Sequence, residues 1–213
     1  MERLLRSASV LYDANCIIYY AFRCELPRRD GPALVIESGP LTETVRSITT
    51  KLSDSGKSVC TTESVFGEVT DICVTDAVRQ RLSEDGVRRT LGIQPGVRLP
   101  PELELAVVQR TCKTVRKLRG KAWFQLTNFQ PTAAALGALT AFFKSVRNTP
   151  ALANRLRSDK NPMPSSADLG LMRYSAESGL PVLTNDSHFT AFAPELTAQR
   201  LVSAIVALSS IRL

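Results

Sequence analysis

Apolar residues fall into two kinds of stretch along this chain: short unbroken runs, and longer segments whose apolar positions lie three or four residues apart. The runs are Ser9-Val10-Leu11-Tyr12, Ser58-Val59-Cys60-Thr61 and Pro181-Val182-Leu183-Thr184. Runs so short, bounded by polar or turn residues, read as strands buried on both faces. Helical spacing appears at Leu41, Val45, Ile48 and Leu52, and again at Leu103, Val107, Thr111, Val115 and Leu118. Val65, Val69, Ile72 and Leu82 place one helix from the second strand to about Glu84, with Gly86 closing it. Residues 132–147 read as an alanine-rich helix, and 151–157 as a shorter one bearing Arg155 and Arg157. Short strands alternating with helices predict an α/β fold around a mainly parallel sheet.

The densest pattern lies at residues 164–189. Ser165 or Ser166 is a helix N-cap, and Asp168 falls in the first turn, where the helix dipole favours a carboxylate. Leu169, Met172 and Ala176 share one face, Gly179 supplies a left-handed stop, and Pro181 cannot extend the helix. The strand that follows ends at Asn185 and Asp186. The first strand likewise ends at Asp13, and Glu68 lies about a turn and a half into the helix after the second. Residues 23–40 and 92–101 are rich in proline and glycine and read as irregular connections, and 159–166 as a loop. Residues 87–162 are a helical insertion within a single domain spanning 1–213. Leu201, Ala204, Ile205 and Leu208 suggest a terminal helix, and their β-branched neighbours leave a strand open.

Charge and cysteine content narrow the setting. The net charge of +7, from 27 basic and 20 acidic side chains, mildly favours a polyanionic partner. Five cysteines, at 16, 24, 60, 73 and 112, show no CxxC spacing and fit a reducing compartment. With no signal-like N-terminus and no run near the roughly 20 apolar residues of a membrane span, a cytoplasmic protein is expected. Residues 110–121 carry Arg110, Lys113, Arg116, Lys117, Arg119 and Lys121 without an intervening acid, and Trp123, Phe124 and Phe129 follow. Such a stretch can track a phosphate backbone and stack bases; it can equally be a solvated helix face with core aromatics behind it.

Ligands of parallel sheets gather beyond the carboxyl ends of the strands, so Asp13, Glu68, Asp168 and Asp186 can face one crevice. Four carboxylates together repel, and some must take up protons unless a cation is bound. Hard oxygen donors suit Mg2+ or Mn2+, ions that orient a water, lower its pKa and neutralise charge building on a phosphodiester. Each residue also has a plainer reading. Asp13 can be a helix N-cap, and Glu68 and Asp71 solvated helix residues. His188, the only histidine, can touch substrate or shuttle a proton, or be a surface turn residue bonded locally.

Four pieces in order then resemble the PIN-domain nucleases, most of all the VapC-like ribonuclease toxins of bacterial and archaeal toxin–antitoxin pairs. They are Val10-Leu11-Tyr12-Asp13-Ala14-Asn15, Thr61-Thr62-Glu63-Ser64-Val65-Phe66-Gly67-Glu68, Ser166-Ala167-Asp168, and Leu183-Thr184-Asn185-Asp186 with Phe189. The resemblance covers roughly 1–85 and 163–195. It implies a PIN-like three-layer sandwich with Asp13, Glu68, Asp168 and Asp186 holding Mg2+ or Mn2+, and Asn15 and Thr184 as supporting polar groups. It also implies endoribonuclease activity on RNA, and admits a small antitoxin partner and a homodimer. Compact toxins of the family have little between the second and third acids, so residues 87–162 depart from the pattern. Asp71 and His188 take no role from the resemblance. A haloacid-dehalogenase-type phosphohydrolase would carry Asp-x-Asp where Asn15 stands, and no GxGxxG run exists for a dinucleotide. The alternatives kept are a silent PIN-like module that binds RNA or protein without cutting, and a housekeeping RNA-processing nuclease.

Overall fold

The three apolar runs are strands, but the sheet they build is wider than those runs. The computed structural model describes residues 4, 6–22, 24–28, 31–36, 40–70, 74–83, 88–89, 92–94, 97, 100–156 and 161–211. Its strands are β1 (Ser9–Tyr12), β2 (Cys24–Arg28), β3 (Gly31–Ile36), β4 (Ser58–Thr62), β5 (Phe124–Thr127), β6 (Pro181–Thr184) and β7 (Ala204–Ala207). Five of them form one sheet in the order β5-β4-β1-β6-β7. All its pairings are parallel. β4 and β6 are buried along their whole length, and β1 at all but its first residue, as a parallel strand covered on both faces must be. The edge strands β5 and β7 are only partly buried.

Helices flank this sheet: α1 (Ala14–Ala21), α2 (Pro40–Asp54), α3 (Glu63–Glu68), α4 (Val74–Ser83), α5 (Pro101–Leu118), α6 (Gly137–Asn148), α7 (Pro150–Ala153), α8 (Ser166–Ser178), α9 (Ser187–Thr190) and α10 (Ala193–Ala198). The layers are those of an α/β sandwich. The expected stripes meet in one core, where Val10, Ile48, Leu52, Val182, Leu183 and Phe189 are buried. Each such side chain contributes about 1.5–3 kcal/mol by leaving water. A satellite cluster of Phe22, Val78, Leu82 and Val107 joins α4 and α5. No described helix is long and apolar enough to cross a membrane.

Several expectations need correction. Residues 23–40 are not all irregular connection: β2 and β3 pair antiparallel, with a register shift between Leu26 and Arg28. Pro27 falls at that irregularity, where a missing N–H interrupts no regular ladder. Of the helix expected from the second strand to Glu84, the structure describes α3, a π turn over 69–70 and α4; Asp71, Ile72 and Glu84, with Gly86, lie outside the described residues. The insertion is not purely helical, because β5 comes from within 87–162 and pairs with β4 from Val59↔Phe124 to Thr62↔Thr127. The helix expected over 132–147 begins later, at Gly137, and the shorter one is Pro150–Ala153; Arg157 lies outside the described residues. The terminal segment is strand β7 followed by a 3-10 turn at Leu208–Ser210, not a helix.

Candidate active site

The chain leaves β1 towards β4 and β5 on one side and leaves β6 for β7 on the other, so the sheet order reverses between β1 and β6. A reversal of this kind opens a crevice at the carboxyl ends of the two strands. Tyr12 pairs with Leu183, which brings Asp13 beside Thr184. Asp13 is 1% exposed. Its Oδ1 accepts the Cys16 N–H at 2.8 Å, and its Oδ2 accepts the Thr184 hydroxyl at 2.5 Å. The N-cap reading of Asp13 is therefore correct, and the same carboxylate also lines the crevice.

Asp186 caps α9, taking the His188 N–H on Oδ1 at 2.7 Å, and its own N–H donates to Thr184 Oγ1 at 2.9 Å. Ser165 caps α8 and completes a reciprocal box: the Asp168 N–H donates to Ser165 Oγ at 3.1 Å, and the Ser165 N–H to Asp168 Oδ2 at 3.3 Å. The Ser165 hydroxyl donates to Glu68 Oε2 at 3.4 Å, across 97 residues. Glu68 is the last residue of α3, about a turn and a half from its start, as expected. The cleft these elements enclose is about 360 Å³ and is lined by Asp13, Asn15, Glu68, Asn161, Ser165, Asp168, Asp186 and His188, with Ile18 and Ala77 as apolar wall.

Among the described residues, no lysine or arginine lines the cleft. Burial pushes Asp13 up to about 6, the Thr184 and Cys16 hydrogen bonds opposing the rise and Asp186 adding to it. Asp168 is pushed up to about 7, first by burial and then by repulsion from Asp186, Glu68 and Asp13. It keeps some solvent contact across the cleft while protein encloses the rest of it. The donors suit a hard divalent cation, which prefers carboxylate oxygens. Yet no three described His, Cys, Asp or Glu side chains stand ready as a metal shell. Several oxygens are committed elsewhere: both of Asp13, one of Asp186 and one of Asp168. The donor chemistry fits; the ligands are not assembled in advance.

His188 is neither exposed nor bonded only locally. It is 3% exposed, and its Nε2 lies 2.7 Å from the carbonyl oxygen of Asn161. Its Nδ1 is 3.2 Å from Asp186 Oδ1, without the alignment of a hydrogen bond, and has no hydrogen-bond partner among the described residues. Sequence reasoning found Ser165 as a cap but not its contact with Glu68, and it missed the Asn161 carbonyl. Both are contacts between distant stretches that leave no local pattern.

Of the basic residues, Arg110, Lys113, Arg116, Lys117, Arg119 and Lys121 are all exposed. Arg119 is engaged within the protein, donating to Glu63 at 2.9 Å and lying 4.9 Å over the Phe66 ring. The aromatics beside them do not form an open stacking platform. Phe124 is buried in β5, Trp123 meets Tyr20 edge-on at 5.2 Å, and Phe129 packs on Tyr174 at 5.0 Å. No family model, curated protein or solved structure matches the chain.

Proposed function

We propose that this chain is a Mg2+- or Mn2+-dependent endoribonuclease of PIN-like design, hydrolysing RNA phosphodiester bonds in the acidic cleft. One observation carries the reading. Four carboxylates from separate stretches of chain line one cleft with no lysine or arginine among the described residues, and their repulsion helps lift Asp168 to about 7. A charge imbalance of this kind is relieved by protons or by a bound cation.

Asp13, Glu68, Asp168 and Asp186 would hold the ion, which supplies positive charge, a water of lowered pKa and neutralisation of the phosphate under attack. Thr184 fixes the Oδ2 of Asp13 and Ser165 holds Glu68 beside Asp168, so the protein's own part is to keep four acids aimed at one place. Asn15 lines the same cleft as a polar group toward substrate. The exposed cations of residues 110–121 offer phosphate contacts that the acids cannot make. In the cell, the first role to test is that of a toxin paired with a small antitoxin, with housekeeping RNA processing as the other.

A second reading is supported by the absence of a ready-made shell among the described residues: a silent module that binds RNA or protein without cutting. Cleavage of defined RNAs by the parent and by Asp168→Asn, each with EDTA and with Mn2+, separates the two. The nuclease cuts only with Mn2+, the variant does not cut, and Mn2+ raises the melting temperature of the parent alone, as binding to the folded state requires. Intact RNA together with a melting temperature indifferent to Mn2+ leaves the silent module.

A further inference from the structure

We propose that His188 is a positioning residue that fastens the two halves of the acidic cleft to each other. The inference deepens the nuclease reading and rests on it only for the catalytic consequence. One half is the strand-end pair, Asp13 and Asp186, joined through Thr184. The other is Glu68 and Asp168, joined through Ser165. None of these four hydrogen bonds spans both.

His188 does. Its N–H donates to Asp186 Oδ1 at 2.7 Å, so its backbone belongs to the first half. Its ring reaches the Asn161 carbonyl, which starts the segment leading into Ser165. A carbonyl oxygen only accepts, so Nε2 carries the hydrogen of this 2.7 Å contact. Since Nδ1 makes no hydrogen bond among the described residues, the ring's one side-chain hydrogen bond is to Asn161. The Asn161 side chain accepts the Met163 N–H at 3.0 Å, which makes the carbonyl part of a closed turn just ahead of the α8 cap. Phe143 meets the imidazole edge-on, with ring centres 6.0 Å apart. An apolar ring would fill that place without burying an unpartnered nitrogen, a costly thing to keep. The reach to Asn161 is what an apolar ring could not supply.

The experiment uses amide hydrogen exchange and imidazole NMR on the full, metal-free chain, where a single histidine gives a single assignable ring. The parent shows a proton on Nε2. In His188→Phe the Ser165 and Asp168 amides lose about tenfold in protection, as one lost hydrogen bond predicts, while Leu11 and Val182 keep theirs. His188→Gln, which returns an amide donor near the Nε2 position, restores protection at Ser165 and Asp168. With Mn2+ and RNA, His188→Phe lowers kcat and leaves KM unchanged, because phosphate contacts lie elsewhere. An Nε2 without a proton overturns the proposal, and so does unchanged Ser165 and Asp168 protection in His188→Phe. Uniform loss across the whole protein that Gln does not repair also overturns it, showing a residue needed only for folding. If the parent cuts no RNA, the nuclease reading falls, and the exchange measurements still decide the role of His188.

Discussion

Thr184 donates its hydroxyl to the Oδ2 of Asp13 at 2.5 Å, joining positions 171 residues apart. The Thr184 Oγ1 also accepts the Asp186 N–H, so one hydroxyl stands between two acids and orients both. Thr184→Val keeps the shape and removes the bond, leaving a buried carboxylate oxygen unpaired. The expected loss is about 1–3 kcal/mol in urea unfolding without metal near neutral pH. Thr184→Ser should recover most of it; equal losses in both variants would show that the methyl group, not the hydroxyl, is what matters.

The raised acids set a pH dependence whose sign is opposite to that of a salt-bridged carboxylate. Asp13 at about 6 and Asp168 at about 7 bind protons more readily folded than unfolded, where a free Asp stands near 3.8. Between those limits the native state holds more protons, so metal-free stability rises as pH falls from about 7 toward 4, by up to about 1.4 kcal/mol per pH unit for each group. Chemical unfolding in EDTA across this window measures it. Asp168→Asn flattens the upper part of the profile.

The basic helix predicts a salt signature. Replacing Lys113, Arg116 and Lys117 with Ala should weaken RNA binding and flatten its dependence on salt, by about 0.7 in the log–log slope for each lost contact to a single strand. Arg119→Ala should change the slope least, because Glu63 and Phe66 already hold that guanidinium. Cleavage of a dinucleotide should survive the triple change. Equal loss on short and long substrates would instead indicate damage to the fold.

Gly179 ends α8 at φ 72°, and a Cβ there would meet nothing within 4 Å. Gly179→Ala therefore costs backbone strain without a clash, about 1 kcal/mol in unfolding free energy, with Mn2+-supported cleavage unchanged. A drop in cleavage at temperatures where the variant is fully folded would show that the end of α8 steers the cleft.

What the sequence made legible follows from how local each signal is. Asp13 and Asp186 sit at helix starts just after strand ends and Asp168 in the first turn of α8, and both the caps and the apolar runs are written within a few residues. Ser165 and Gly179 were readable for the same reason. β2 and β3 were not, because Pro27 and Pro32 argue against strands while a two-stranded ribbon tolerates them. β5 was hidden because Phe124–Thr127 is short and half polar, as an edge strand with one open side is allowed to be. The link from His188 to Asn161 had no pattern to betray it, since only the folded chain brings the two together.

The place of β5 at the margin of the sheet makes residues 87–162 hard to remove. They supply the strand that covers β4, which is buried from Ser58 to Thr62. A shortened chain rejoined across that span would uncover a row of unpaired amides and carbonyls on an apolar strand, an invitation to stack against other copies of itself. What reads in sequence as an addition to the domain is, in the fold, its guard against aggregation.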